Sequence, residues 1–218
     1  MSDDKKLMWE EVSTEHIVED EWIDFRKSVY RFPDGRDIGP FYTYSRRDYV
    51  VIVASDEEGR IICVRQFRQG IKEITTEFPA GGIEIKDSID HAKGSAFGSL
   101  RFCGTSDDFG LSEAALLAAK RELREETGYE SDDWQFLLTV PSDATICDNY
   151  AHIFMASNCR HVHSQDLDDT EFVGVVTHTA EEIEEMISSG RFQQAVHIMA
   201  WLLAGRAKDN AGDTKSNT

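Results

Sequence analysis

Cysteine and proline are scarce, with four of each in 218 residues. Cys63, Cys103, Cys147 and Cys159 are too few for a disulfide scaffold and too far apart for paired metal ligands. A reducing, cytoplasmic setting is the expectation. Positive charge is also short: Lys+Arg is 23 against Asp+Glu 41, a net charge of −18 at pH 7. A chain this acidic repels polyphosphate backbones and anionic lipid, so neither nucleic acid nor membrane is expected as a partner. Long apolar runs are missing. The longest, Tyr49 to Ala54, falls far below the ~20 residues of a membrane helix. Met1-Ser2-Asp3-Asp4-Lys5-Lys6 is followed by no apolar core of a secretory signal.

What is present is an ordinary globular composition, 40% hydrophobic and 29% charged. Residues 22–32 alternate and end at Pro33-Asp34-Gly35, which predicts a β-hairpin with a second strand near Phe41-Tyr42-Thr43-Tyr44. We read 1–47 as an N-terminal arm carrying this hairpin, suited to dimerisation. Tyr49-Val50-Val51-Ile52-Val53 reads as a strand buried on both faces, with Ile61 to Phe67 as its hairpin partner. Ile74 to Phe78 forms another strand, stopped by Pro79-Ala80-Gly81-Gly82. Residues 85–111 are apolar-poor and read as an insertion. A helix is predicted from Ser112, its N-cap, to Thr127, stopped by Gly128. Strands follow at Trp134–Val140, His152–Met155 and Phe172–Val176, then helices at Ala180–Ser188 and Phe192–Leu203. The main domain spans 48–206, and the polar tail 207–218 is expected to be disordered. The pattern is α+β, a mixed sheet with helices packed on it.

The segment that carries chemistry is Arg121-Glu122-Leu123-Arg124-Glu125-Glu126-Thr127-Gly128-Tyr129. On a helix Glu122, Glu125 and Glu126 stand at i, i+3 and i+4 and share one face, where like charges repel. A Glu-rich helix is often only a solvated face. A hard divalent cation, however, would turn the same repulsion into a ligand set, since Mg²⁺ takes oxygen donors from carboxylates and substrate phosphates. Ala115, Ala118 and Ala119 lie toward the N-terminus of that face, and Leu116 and Leu123 form a neighbouring apolar stripe.

This segment resembles the signature of the Nudix hydrolases, Arg-Glu-apolar-x-Glu-Glu-x-Gly-apolar, with Glu113 at the upstream Glu position. Asp107 stands where the signature has glycine. The missing glycine lies further upstream, in Glu77-Phe78-Pro79-Ala80-Gly81-Gly82-Ile83-Glu84. That stretch is similar to the one opening the signature in ADP-ribose and nucleoside-diphosphate-sugar pyrophosphatases, which places 85–111 as an insertion within it. The resemblance implies a Nudix-type α/β/α sandwich with a mixed sheet.

It further implies Mg²⁺- or Mn²⁺-dependent hydrolysis of a small nucleoside diphosphate derivative by a homodimer. Glu122, Glu126 and the Ala80 carbonyl would bind metal, and Glu125 would be a third ligand or would position water. Arg65 and Arg68 would meet the diphosphate beside Gly81 and Gly82, with Arg68 the better placed. A carboxylate of the loop Asp166-Leu167-Asp168-Asp169-Thr170-Glu171 would act as base, either Glu171 or Asp169. Relatives of this type carry a proline some fifteen residues past the signature, where this chain has Asp143 and Ala144, with Pro141 earlier. Trp22, Phe25 and Phe41 are aromatics that could stack on a base, or simply pack between strands. The leading expectation is hydrolysis of ADP-ribose or a related nucleoside diphosphate sugar to a nucleoside monophosphate and a sugar phosphate. The alternatives are a nucleoside triphosphate pyrophosphohydrolase and a non-catalytic nucleotide-sugar sensor.

Overall fold

The computed structural model describes residues 4–20, 22–84, 100–102 and 113–215. The expected insertion 85–111, apart from the strand at 100–102, and the expected N-cap Ser112 lie outside these residues. The chain divides into two compact units, one of 1–47 with 141–150 and one of 48–140 with 151–218.

The N-terminal unit is a three-stranded antiparallel sheet of β1 (Glu10–Glu19), β2 (Asp24–Arg31) and β3 (Asp37–Ser45), in that order. The hairpin at Pro33-Asp34-Gly35 is present, and Gly35 takes the φ of +86° that the turn needs. β1 was not anticipated. Eight of its residues pair with β2, yet nine of its ten are exposed. A strand with water on both faces lacks the apolar alternation by which strands are recognised. Trp9, Tyr30, Phe32 and Phe41 gather into an aromatic cluster, with Trp9 stacked on Phe32 at 4.2 Å between centroids. Phe25 stacks on Tyr42, and Arg47 lies over Trp22. Residues 141–150 join this unit because the Tyr44 amide donates to the Ile146 carbonyl and Arg26 and Ser45 both bond Asp148.

The second unit holds β4 (Tyr49–Asp56), β5 (Ile61–Arg68), β6 (Glu73–Glu77), β7 (Ala80–Gly82), β8 (Leu100–Phe102), β9 (Tyr129–Glu130), β10 (Asp133–Pro141), β11 (Tyr150–His161) and β12 (Gly174–His178). They form one mixed sheet along the path β12-β5-β4-β11-β10-β8, with β6 paired to β5, β7 to β4 and β9 to β11. β4 runs parallel to β11 and antiparallel to β5 and β7. Three α-helices are present among the described residues: α1 (Glu113–Thr127), α2 (Ala180–Ser188) and α3 (Ala195–Lys215).

The pleat of β4 sends alternate residues to two cores. Val50, Ile52 and Ala54 pack with Ala115, Leu116, Ala118, Ala119 and Leu123 of α1. Val51 and Val53 pack with Ile183 and Met186 of α2 and with Ala200, Trp201, Ala204 and Ala207 of α3. Helices on both faces leave β4 no solvated side, so its sequence is continuously apolar. This is the expected α/β/α layering.

The tail expected to be disordered from 207 is instead helical through Lys215. Ala200, Ala204 and Ala207 recur at i, i+4 and i+7 and are buried against the sheet. Small side chains bury little area each, but they let the helix backbone lie close to the strands. Judging the segment by its polar majority missed that stripe.

Candidate active site

α1 forms because Glu113–Thr127 is rich in strong helix formers and has one apolar stripe. It ends at Gly128, whose φ is +75° and whose amide donates to the Arg124 carbonyl at 2.8 Å. A side chain at Gly128 would also strike the His163 carbonyl. These constraints set the phase of the helix, which directs Glu122 and Glu126 inward; they are only 7% and 4% exposed.

Opposite them runs β7, the Ala80-Gly81-Gly82 bend. The Ala80 amide donates to Glu126 Oε2 at 3.0 Å. Gly81 faces Glu122 so closely that a Cβ there would coincide with the carboxylate. Arg121 closes the group: Nη1 donates to Glu122 Oε1 and Glu125 Oε2, each at 2.8 Å, and Nη2 donates to the Gly82 carbonyl at 2.9 Å. Gly81 therefore makes room for Glu122, and Gly82 anchors Arg121.

The electrostatics are unusual for carboxylates. Burial pushes the Glu122 carboxyl up to about 7, with Arg121 opposing and the charges of Glu125 and Glu171 adding to the rise. Burial likewise pushes Glu126 up to about 8, with the Ala80 N–H opposing and Glu122 and Glu171 adding. At each carboxylate burial outweighs the groups that favour the charged form, Arg121 at Glu122 and the Ala80 N–H at Glu126. The donors in reach are carboxylate and carbonyl oxygens, the set a hard divalent ion prefers. Among the described residues, no three His, Cys, Asp or Glu side chains form a group able to hold a metal ion by themselves. The Arg121 guanidinium, bonded to both Glu122 and Glu125, occupies the position between two of the three carboxylates.

The charge of Glu171 bears on both buried carboxylates. Its loop is pinned to the end of α1. Gln165 Nε2 donates to the Glu126 carbonyl at 2.6 Å and the Val173 carbonyl at 3.0 Å, and the Asp166 amide donates to the Glu125 carbonyl at 2.9 Å. Within the loop, the Asp168 amide donates to Glu171 Oε2 at 3.2 Å. Neither Gln165 nor its role is marked by any spacing in the sequence.

The two arginines part company. Arg65 on β5 is exposed. Arg68 forks onto Glu77, Nε to Oε1 at 2.9 Å and Nη2 to Oε2 at 2.5 Å, and its charge reaches Glu126. Glu77 is completely buried and also accepts from Thr75 and from Gln194 Nε2. Arg68, expected as a substrate contact or as a surface ion pair, is the partner of a buried carboxylate. The pair was legible only as two residues of opposite sign near the bend.

Residues 45–202 match the NUDIX domain, most of the chain. The chain belongs to the NUDIX domain family. It is a Nudix hydrolase, of the kind similar to ADP-ribose pyrophosphatases. It is 26% identical to the methanol dehydrogenase activator of Bacillus methanolicus over 152 residues, 69% of this chain and 68% of that one. It is 26% identical to the ADP-ribose pyrophosphatase of Bacillus subtilis (strain 168) over 192 residues, 85% of this chain and 86% of the relative. The ADP-ribose pyrophosphatase of Mycobacterium tuberculosis is 27% identical over 126 residues, 56% of this chain and 49% of that one. Among solved structures, an ADP compounds hydrolase superposes with a TM-score of 0.70 at 18% identity, covering 94% of this chain and 97% of the other, a likeness of fold. Nudix hydrolases as a family generally depend on divalent metal. No helix among the described residues is long and apolar enough to cross a membrane.

Proposed function

We propose that this Nudix hydrolase cleaves the diphosphate of ADP-ribose, or of a related nucleoside diphosphate sugar, with Mg²⁺ or Mn²⁺. The products are a nucleoside monophosphate and a sugar phosphate. The observation that carries the reading is the pair of buried carboxylates, Glu122 and Glu126, set against the Ala80-Gly81 bend. The 85% overlap with the Bacillus subtilis ADP-ribose pyrophosphatase supports the substrate class.

In this reading Glu122, Glu126 and the Ala80 carbonyl would hold the metal, and Glu125 would be a further ligand or orient water. The metal, when bound, offsets the charge of the diphosphate and lowers the pKa of water. Glu171 accepts the proton of the attacking water. The water oxygen bonds to phosphorus as the bridging P–O bond breaks. Arg68 meets a phosphate oxygen with the part of its fork not engaged by Glu77, and Arg65 extends the contact at the surface. Gly81 and Gly82 keep the bend bare enough for the substrate and the carboxylates to approach. Asp169 is the second candidate for the base.

The protein is assigned to the cytoplasm as a homodimer. The three cysteines among the described residues are all free, which suits a reducing compartment. β1 presents an exposed edge with Val12, Ile17 and Val18 outward, a template for a second copy.

The test is a panel of nucleoside diphosphate sugars and nucleoside triphosphates with Mg²⁺ or Mn²⁺, with both products identified. AMP and ribose 5-phosphate from ADP-ribose are expected. Pyrophosphate from triphosphates alone, or ADP-ribose binding without turnover, would refute the proposal.

A further inference from the structure

The Glu126–Ala80 contact depends on where the backbone at 78–80 is held, and that backbone is gripped from α3. His197 lies in the first turn of the helix and is 4% exposed. Its Nδ1 accepts the Phe78 amide at 3.1 Å, and its ring stacks on Phe78 with an interplanar angle of 8°. Burial pushes the imidazole down to about 4. It is therefore neutral at physiological pH, with the proton on Nε2 and Nδ1 as acceptor.

Two further bonds act on the same stretch. Gln194, just before the helix, donates to Glu77, and the Ile52 amide donates to the Pro79 carbonyl at 2.9 Å. Pro79 cannot donate, so Phe78 offers the last amide before Ala80. A buried amide needs a partner, and in a strand-to-bend junction no neighbouring strand supplies one automatically. Here the partner comes from 119 residues along the chain.

We propose that His197 is a positioning residue for hydrolysis: by accepting the Phe78 amide it sets the Ala80 backbone against Glu126. The inference rests on the reading of Ala80 and Glu126 as part of the catalytic site. Its imidazole touches no reacting atom. It acts through two peptide units, and its neutral form holds the bend whatever the charge of the carboxylates.

The test contrasts His197→Asn with His197→Gln in the full chain. The asparagine carbonyl falls near the Nδ1 position and can accept the same amide. The glutamine amide reaches toward the Nε2 position and cannot. Both keep a polar side chain at the site, so burial of a polar group is common to the pair. With ADP-ribose and Mn²⁺, His197→Gln should lower kcat by roughly 10- to 100-fold, the scale for a small misplacement of reacting groups, with KM changed less than about threefold. His197→Asn should keep kcat within about threefold of the parent. Thermal shift by Mn²⁺ without substrate should shrink in His197→Gln and persist in His197→Asn. Equal behaviour of the two variants, whether both active or both impaired, overturns the positioning role. Glu126→Gln is the control: near-normal turnover there overturns the reading of the site itself, whereas loss there with equal His197 variants overturns only this inference.

Discussion

The Glu126 carboxyl offers the sharpest experimental test of the site. Buried at 4% exposure and pushed up to about 8, it stays protonated in the folded, metal-free protein at pH values where the unfolded chain has lost the proton. Its folded value is raised above the ordinary 4.5, so its contribution to stability is intact below about pH 4.5 and is lost as pH rises through 8. At 1.36 kcal/mol per unit the full loss is at most about 5 kcal/mol, and water entering the site reduces it to a few. Glu126→Gln keeps the shape and can still accept the Ala80 amide, but it carries no charge. In chelator, the variant and the parent should melt together near pH 5. By pH 8 the variant should melt higher, by roughly 6–12 °C if about 3 kcal/mol is recovered in a chain of this size. Mn²⁺ at pH 8 should stabilise the parent more than the variant, and turnover of ADP-ribose in the variant should fall by roughly 10²–10⁴-fold. The assays are thermal melts from pH 5 to 9 with chelator or Mn²⁺, and product formation. A melting difference that is flat with pH, or a variant that is less stable at pH 8, would refute the claim that burial holds this carboxyl protonated.

Two other outcomes follow from the geometry. Gly81→Ala puts a methyl group where the Glu122 carboxylate lies, so turnover should drop by at least about tenfold while the melting temperature in chelator changes little, because Glu122 can be displaced outward; unchanged turnover would show that Glu122 need not sit there. Glu171→Gln should lower kcat by roughly 10²-fold or more and Asp169→Asn by less than about threefold, since the charge of Glu171 bears on both Glu122 and Glu126; the reverse order in steady-state rates would move the base to Asp169.

Much of the main domain was legible because its signals are local. β4 is one continuous apolar run, and α1 begins within a residue of its expected start and ends at Thr127 before Gly128. Helical spacing alone put Glu122 and Glu126 on one face. The elements that were missed have weak or misleading local signals. β1 is charged on both faces, and the end of α3 is polar apart from the alanine stripe that docks it. Within the site, Arg68 pairs with Glu77, whose burial no pattern in the neighbouring residues states.

Sequence by itself determined the chemistry at hand: three carboxylates one helical turn apart, a glycine bend and an acidic loop, all written within short stretches whose geometry follows from the 3.6-residue period. Tertiary structure decided how those groups behave. It buried Glu122 and Glu126, inserted Arg121 between two of the carboxylates, brought the charge of Glu171 to bear on them, and supplied His197 from the far end of the chain. The reason is physical: spacing along a helix is a short-range property, whereas desolvation and the pairing of buried charges depend on every element packed around them.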